Sequence, residues 1–317
     1  MHRSPHRLVV LLATVTMVST LLTSCRLGGS TTTSTASTTT PTSSTTAKGC
    51  ATPGMPTTVA YRSLPGVPAG ALSLDVHAPA RACRAPVVMW VHGGGYHQGD
   101  KANQMRDKVA LFNARGWILV SINYRLTVQG DASSAHFPDH YDDVAAAVAW
   151  VHRTIARYGG DPSRTALLGH SAGADIVANV ADNPRYLKAQ GLTPGVLDCA
   201  GPLDTQGFDK VATGSGDESI AWIDALGNDP TFRTDTSANR FLRPTSDVPD
   251  TIGVVRGTPL RQRIEKSYLA KVAATGARTV TIDARTLSHA GVNTSIGATD
   301  DTVMTRPLTS FLTACFR

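Results

Sequence analysis

This sequence lacks a strong excess of either positive or negative charge. The 317 residues include 30 Lys and Arg against 24 Asp and Glu, a formal net charge of +6, and the basic residues are not clustered. A nucleic-acid-binding surface normally needs a concentrated basic patch, so no nucleic-acid partner is expected. Internal repeats are also absent, which argues against a repeat architecture.

Long hydrophobic runs are lacking too, apart from one at the N-terminus. Arg3 and Arg7 precede an apolar run from Leu8 to Leu22, which is shorter than the roughly 20 residues of a membrane-spanning helix. This pattern predicts a signal peptide over residues 1–24. Its removal takes away Arg3 and Arg7 and no acid, which lowers the formal charge from +6 to +4.

The end of the signal peptide predicts a membrane anchor. Leu22-Thr23-Ser24-Cys25 resembles the bacterial lipobox, so Cys25 is expected to carry lipid and to hold the exported protein at the outer side of the cell membrane. Plain secretion is the alternative. Residues 25–48 are dominated by Ser and Thr and predict a solvated tether, with a catalytic domain over residues 49–317.

Cysteines are few and lack metal-site spacing. None of the five has a C-x-x-C partner, and neither a metal nor an organic cofactor is expected. Four remain after Cys25, an even number that favours two disulfides in an exported protein. The preferred pairing is Cys50 with Cys83 and Cys199 with Cys315, although Cys199 could instead be a buried free thiol.

The rest of the sequence alternates predicted strands and helices. Nearly continuous apolar runs predict buried strands at Pro86–His92 and Trp117–Asn123, whereas the alternating Ala71–His77 predicts an edge strand. Further segments complete the prediction: strands at 165–170, 196–200, 252–256 and 279–283, and helices at 141–158, 172–181, 262–274 and one ending near Cys315. This order indicates an α/β fold with a mostly parallel sheet and helices on both faces. The polar stretch 207–249 is interpreted as a cap or lid over the site, with a plain surface loop as the alternative.

Two glycine-rich motifs carry the functional prediction. Gly169-His-Ser-Ala-Gly173 fits G-x-S-x-G, the strand-to-helix turn that exposes a nucleophilic serine, here Ser171. His92-Gly-Gly-Gly-Tyr96 fits a loop whose backbone N–H groups stabilise an oxyanion. With Asn123-Tyr-Arg125 and Gly159–Arg164, these segments resemble α/β-hydrolases, in particular the esterases similar to hormone-sensitive lipase and to feruloyl esterases, from about Tyr61 to the C-terminus.

This resemblance implies a Ser, acid, His order along the chain. His289 is the only histidine after Ser171 and is therefore the expected general base. The oxyanion hole implied by the family is formed by the N–H groups of Gly94, Gly95 and Ala172. A serine hydroxyl needs such a base because it is too weakly acidic to attack unaided.

The acid departs from the family pattern. Thr258-Pro-Leu stands where these relatives have Asp-Pro-Leu, and a threonine cannot stabilise an imidazolium. Asp204 is the first replacement, with Asp283 and Glu265 as alternatives. Asp204→Asn is expected to lower turnover with little change in thermal stability.

The expected function is hydrolysis of small or medium acyl or aryl esters through an acyl-enzyme, with a small-molecule ester as substrate. Two alternatives stay open: a catalytically impaired binding lipoprotein, suggested by Thr258, and an amidase or peptidase on the same scaffold. The oligomeric state cannot be read from the sequence.

Overall fold

Eight strands form one sheet in a computed structural model that describes residues 56–213, 219–227, 230–244 and 247–317. The strands are β1 Thr57–Ala60, β2 Ser73–His77, β3 Ala85–Val91, β4 Ile118–Ile122, β5 Gly160–His170, β6 Cys199–Leu203, β7 Asp250–Val255 and β8 Thr279–Asp283. Their order is β1-β2-β4-β3-β5-β6-β7-β8. β2 is antiparallel to β1 and β4, and every other pairing is parallel.

Helices cover both faces of this sheet. They are α1 Arg106–Asn113, α2 Asp139–Thr154, α3 Ala172–Asp182, α4 Pro184–Ala189, α5 Lys210–Thr213, α6 Ser219–Leu226, α7 Pro230–Asp235, α8 Pro259–Ala273, α9 His289–Thr294 and α10 Thr305–Cys315. Val87 and Met89 of β3 pack in the core that contains α2 and α3, whereas Val88 and Trp90 pack in the core that contains α1 and α10. Because successive side chains of a strand point to opposite faces, the α/β prediction with helices on both faces is confirmed.

Two strand predictions need correction. The segment 71–77 is not the edge of the sheet, because the short strand β1, which has no buried residue, pairs with β2 on its outer side. The strand predicted at 196–200 lies at Cys199–Leu203 instead. Pro202 can sit in this interior strand because β6 pairs with β7 only at Cys199 and Ala200, so its missing N–H removes no bond to β7.

One predicted disulfide is present. Cys199, at the start of β6, is bonded to Cys315 at the end of α10, with their Cα atoms 6.2 Å apart. Cys83 is also disulfide-bonded. Its predicted pairing with Cys50 lies outside the described residues, so this pairing stays a prediction.

The segment 207–249 contains α5, α6 and α7, each no longer than eight residues. It contacts the rest of the domain through Asp224, which lies 3.4 Å from His97, and through the carbonyl of Ala225, which accepts from the Phe137 N–H. The signal peptide 1–24 and the tether 25–48 lie outside the described residues. None of the helices in the described ranges combines the length and apolar character needed to cross a membrane.

Candidate active site

Ser171 lies at a sharp turn between β5 and α3. Its φ of 59° is in the left-handed region, which non-glycine residues rarely adopt. The flanking glycines are needed for close approach: a Cβ on Gly169 would lie 2.5 Å from the Gly173 carbonyl oxygen, and one on Gly173 would lie 2.3 Å from the Val91 oxygen. The turn therefore requires glycine on both sides of the serine, as the G-x-S-x-G motif predicts.

His289 is the first residue of α9, the short helix that follows β8. Its Nε2 lies 2.9 Å from Ser171 Oγ, and its Nδ1 lies 2.6 Å from Asp204 Oδ2. A carboxylate can only accept, so the proton belongs on Nδ1 and Nε2 accepts the Ser171 hydroxyl. This tautomer is the one that a general base needs.

Asp204 directly follows β6, the strand next to β5. Its φ of 68° turns the chain at the strand end, a conformation that Asp tolerates better than most residues, and the residue is fully buried. The structure thus brings Ser171, His289 and Asp204 together in one hydrogen-bonded chain. Ser171 and Asp204 follow the ends of β5 and β6, and His289 begins α9 after β8. All three residues therefore lie at the carboxyl edge of the sheet, where open α/β sheets bind their ligands.

Two arginines enclose the Asp204 carboxylate. Arg256, just after β7, donates to it at 2.8 Å, and Arg261, in α8, lies 2.7 Å from it. Burial alone would raise the pKa of Asp204, but the His289 hydrogen bond and the Arg261 and Arg256 charges hold it below its usual value. Arg256 also donates to the Leu287 carbonyl at 3.3 Å and so links the acid to the chain just before His289.

The other candidate acids lie apart from His289. Thr258 caps α8, where its hydroxyl accepts the Arg261 N–H. Asp283 is exposed and pairs with Arg285 at 2.6 Å. Glu265 is buried and accepts the Val254 N–H at 2.9 Å.

Arg256 and Arg261 were not predicted from the sequence as partners of the acid. Arg256 precedes Thr258-Pro-Leu and Arg261 follows it. A positive charge on each side of the position where an acid was expected was the signal that could have identified these two residues.

The side chain of His170 contacts the general base His289. Its ring packs against that of His289 at an angle of 37°, with centroids 4.5 Å apart, and its Nε2 donates to the His289 carbonyl at 2.8 Å. Burial and the neighbouring His289 lower the pKa of His170 to about 4, so its ring is neutral at pH 7. A neutral ring adds no positive charge that would oppose protonation of His289.

The oxyanion loop faces the serine. Gly94 and Gly95 line the same cavity as Ser171, and their N–H groups have no acceptor among the described residues. Ala172 is the first residue of α3, where a backbone N–H lacks a partner within its helix. These three groups are those that the sequence analysis assigned to the oxyanion hole, and they are available to a ligand.

A buried ion pair anchors this loop to the serine helix. Tyr96 donates its hydroxyl to Asp175, one turn beyond Ser171 in α3. Lys210, fully buried, lies 2.7 Å from the same carboxylate and also donates to the Thr236 carbonyl at 2.7 Å. Asp175 therefore connects the oxyanion loop and the 207–249 segment to α3.

Gly94→Ala is expected to disable the loop. Gly94 has φ of 117°, and an added Cβ would lie 1.9 Å from the Gln98 carbonyl oxygen, so the backbone must move. Loss of one oxyanion donor costs about 3 kcal/mol of the barrier, which is roughly a hundredfold in kcat. The measurement is kcat on a nitrophenyl ester.

Gly130→Ala is the matched control, because Gly130 has φ of 77° but no atom within 4 Å of an added Cβ. It shares the backbone strain without the clash. Equal kcat in the two variants would contradict the role of the Gly94 loop.

One group of side chains has metal-ligand geometry within the described ranges. Ligand atoms of His170, Asp204 and His289 lie within 4.8 Å of one another. Both histidines already use these nitrogens in hydrogen bonds, and two guanidinium groups surround the carboxylate. The positive charge of the arginines opposes a bound cation, so these side chains fit the hydrogen-bonded surroundings of a general base better than a metal centre.

Sequence comparisons point to esterases. A model described as the carboxylesterase family matches residues 33–186. The para-nitrobenzyl esterase of Bacillus subtilis (strain 168) is 29% identical over 185 residues, which cover 56% of this chain and 36% of that protein. Esterase LipQ of Mycobacterium tuberculosis is 40% identical over 104 residues, which cover 33% of this chain and 23% of that protein. The matched part of this chain thus spans little more than a third of these curated relatives at most.

A solved structure shares the fold. The apo form of Thermogutta terrifontis esterase 2 superposes with a TM-score of 0.63 at 21% identity, covering 82% of this chain and 91% of that chain. This likeness and the sheet order establish an α/β-hydrolase fold. The serine turn at the end of β5 lies where that fold presents its nucleophile.

Proposed function

We propose that this protein is a serine carboxylic-ester hydrolase that acts on small or medium acyl or aryl esters. The observation that carries the proposal is the continuous chain from Ser171 Oγ through the His289 ring to Asp204, with contacts of 2.9 and 2.6 Å. This arrangement opens into the cavity that the Gly94 and Gly95 loop lines. Nucleophile, base, acid and oxyanion donors are the complete set that acyl transfer needs.

The first half of the reaction acylates the serine. Ser171 Oγ attacks the acyl carbon while its proton passes to His289 Nε2. The carbonyl oxygen becomes negative and accepts from the free N–H groups of Gly94, Gly95 and Ala172. Collapse of this intermediate breaks the bond to the alcohol, whose oxygen takes the proton from His289 as it leaves.

The second half returns the enzyme. A water molecule gives a proton to His289 Nε2 and attacks the acyl-serine, and the second tetrahedral intermediate uses the same N–H groups. Its collapse releases the carboxylic acid and returns the proton to Ser171. Asp204 keeps the His289 ring oriented and offsets its positive charge in both halves.

The comparisons and the acid support an active enzyme. The similar proteins are named as esterases, and the carboxylesterase model matches the part of the chain that contains both glycine-rich motifs. A non-catalytic lipoprotein was considered because Thr258 replaces the usual acid, but Asp204 supplies a carboxylate to His289 from the adjacent strand. Within the esterases, the His92–Tyr96 loop supports a place near the hormone-sensitive-lipase-like or feruloyl-esterase-like group.

Active-site labelling tests the proposal. The purified protein is incubated with a fluorophosphonate, its intact mass is measured, and turnover of 4-nitrophenyl acetate is compared with that of the matched anilide, 4-nitroacetanilide. Addition of one phosphonyl group and faster hydrolysis of the ester are expected. Absence of both labelling and ester turnover would contradict a serine hydrolase, and faster turnover of the anilide would indicate an amidase.

We also propose that Cys25 anchors the enzyme to the outer face of the cell membrane, on the basis of Leu22-Thr23-Ser24-Cys25. Cys25→Ser is expected to move the protein from the membrane fraction to the soluble fraction, because no thiol remains to carry lipid. Fractionation followed by immunoblotting measures the change. Ser24→Ala is the control, because it leaves the thiol and a small residue before it, and should stay with the membrane. An unchanged distribution of Cys25→Ser would place the anchor elsewhere.

A further inference from the structure

The cavity at Ser171 has an unusually polar wall. Its volume is about 530 Å³, and four carboxamide side chains line it: Gln98, Asn103, Gln104 and Asn293. Besides glycines and the site histidines, its apolar lining consists of Trp90 and Ala290. Small-molecule pockets are mostly lined by hydrophobic side chains with few polar groups, so this composition favours a ligand with several polar atoms.

The polar wall is held in place by a buried lysine. Lys108 is 1% exposed, and its ammonium lies 4.8 Å from the centre of the Trp90 ring. It donates to the Gln104 carbonyl at 3.2 Å and to the Asn293 carbonyl at 2.9 Å, which ties the loop before α1 to α9. The Asn293 amide also donates to the Gln104 side-chain oxygen. These contacts fix Gln104 and Asn293 relative to each other, and the exposed Gln98 and Asn103 extend the wall on the surface.

Gln104 shows the same organisation in its backbone. Its φ of 58° lies in the left-handed region, which costs free energy for a side chain of this kind. The hydrogen bond from Lys108 to the Gln104 carbonyl and the one from the Asn293 amide to the Gln104 side chain maintain this conformation. A carboxamide has one accepting oxygen and two donating N–H groups, and the Gln104 –NH₂ donates to no residue in the described ranges, so it is available to a ligand.

The position of the wall identifies the part of the substrate that meets it. Asn293 lies one turn beyond His289 in α9. The leaving alcohol must receive its proton from His289 Nε2, so the alcohol part of the ester lies on the His289 side of the cavity. Asn293 and its partner Gln104 are therefore placed to contact the alcohol rather than the acyl group.

We infer that the preferred substrates are acyl esters of a polyhydroxylated alcohol, such as an O-acylated sugar. This inference rests on the proposed esterase function. Sugar hydroxyls both donate and accept, which matches the carboxamides of Gln104, Asn103 and Asn293. A site that hydrogen-bonds substrate hydroxyls discriminates strongly against an analogue that lacks them, because its own polar groups are then left without partners.

A pair of acetate esters tests the inference. Methyl 6-O-acetyl-glucopyranoside and cyclohexylmethyl acetate share the acyl group and a six-membered ring, but the second has no hydroxyls. Acetic acid release in a pH-stat gives kcat/KM for each, divided by its rate constant for hydrolysis by hydroxide. The corrected ratio is expected to favour the sugar ester by at least about thirtyfold, the effect of two to three hydrogen bonds.

Variants assign the preference to the wall. Asn293→Leu keeps the number and branching of the side-chain heavy atoms but removes the carboxamide, and it should lower the sugar-to-carbocycle ratio at least about tenfold. Asn103→Leu, at an exposed position with no side-chain hydrogen bond in the described ranges, should lower the ratio in the same direction if Asn293→Leu does not fold. Gln129→Leu is the matched control, because Gln129 is exposed and outside the cavity, and it should keep the parent ratio.

The outcomes distinguish failure of the substrate inference from failure of the esterase proposal. A corrected ratio near one, or a ratio unchanged in both wall variants, with 4-nitrophenyl acetate still hydrolysed, would overturn the substrate inference alone. Failure to hydrolyse any of the three esters, together with no fluorophosphonate labelling, would overturn the esterase proposal and this inference with it.

Discussion

Ser171→Ala is expected to lower kcat/KM for 4-nitrophenyl acetate by at least about 10⁴-fold, because it removes the nucleophile itself. The same variant should take up no phosphonyl group from a fluorophosphonate. Its stability should change little, since alanine keeps the Cβ that the turn already accommodates and only the hydroxyl, bonded to His289, is lost. Stopped assays, intact mass and thermal unfolding measure the three effects.

The matched control for this variant is Ser133→Ala, which changes an exposed serine whose hydroxyl donates to Asp131. It should keep turnover within about twofold, as surface substitutions generally have small effects. Full activity and labelling in Ser171→Ala would place the nucleophile elsewhere.

Asp204→Asn is expected to lower turnover at least about a hundredfold and also to destabilise the fold. The first effect follows because an amide donating to His289 favours the wrong tautomer. The second corrects the expectation from sequence that stability would change little. Arg256 and Arg261 would lose their counter-charge while their side chains stay largely buried, and removing one partner of a buried ion pair costs about 3–5 kcal/mol.

The pH dependence separates these charges from simple packing. The Asp204 pKa is lowered in the folded state, so its stabilising effect is present above pH about 4, the range of an unfolded aspartate, and is lost as pH falls through the lower folded pKa. The difference in unfolding free energy between parent and Asp204→Asn should therefore shrink below pH about 4. Urea unfolding at pH 7 and at pH 3 measures it.

Asp283→Asn is the control for both effects, because Asp283 is exposed at the end of β8 and pairs with the exposed Arg285 two residues further on. It should leave turnover and stability nearly unchanged. If it were the damaging change and Asp204→Asn were not, the acid would have to lie at the end of β8.

Much of the fold could be predicted because the sheet and its helices leave strong periodic signals. The buried strands β3 and β4 are continuous apolar runs, and α2 has apolar residues at helical spacing. The strand β1 was missed because its four residues contain no buried position and so no hydrophobic pattern. Pro202 hid the true extent of β6, because proline normally argues against an interior strand.

The site was predictable in part for a similar reason. Ser171 and His289 follow from a local motif and from chain order, which the sequence displays directly. Arg256 and Arg261 could not be assigned, since their contact with Asp204 spans more than 50 residues and depends on which strand lies beside which. The polar wall depends likewise on a lysine joining two segments 185 residues apart.

The Cys199–Cys315 disulfide closes a loop of the chain that contains two of the three triad residues. The closed loop, with a sequence separation of 116, contains Asp204, the whole segment 207–249 and His289, whereas Ser171 lies outside it. A single proteolytic cut anywhere between residues 207 and 249 would therefore give two polypeptides that stay joined by one S–S bond. On a denaturing gel run with a reductant, the same nicked protein would separate into a fragment that holds the nucleophile and the acid and another that holds the base.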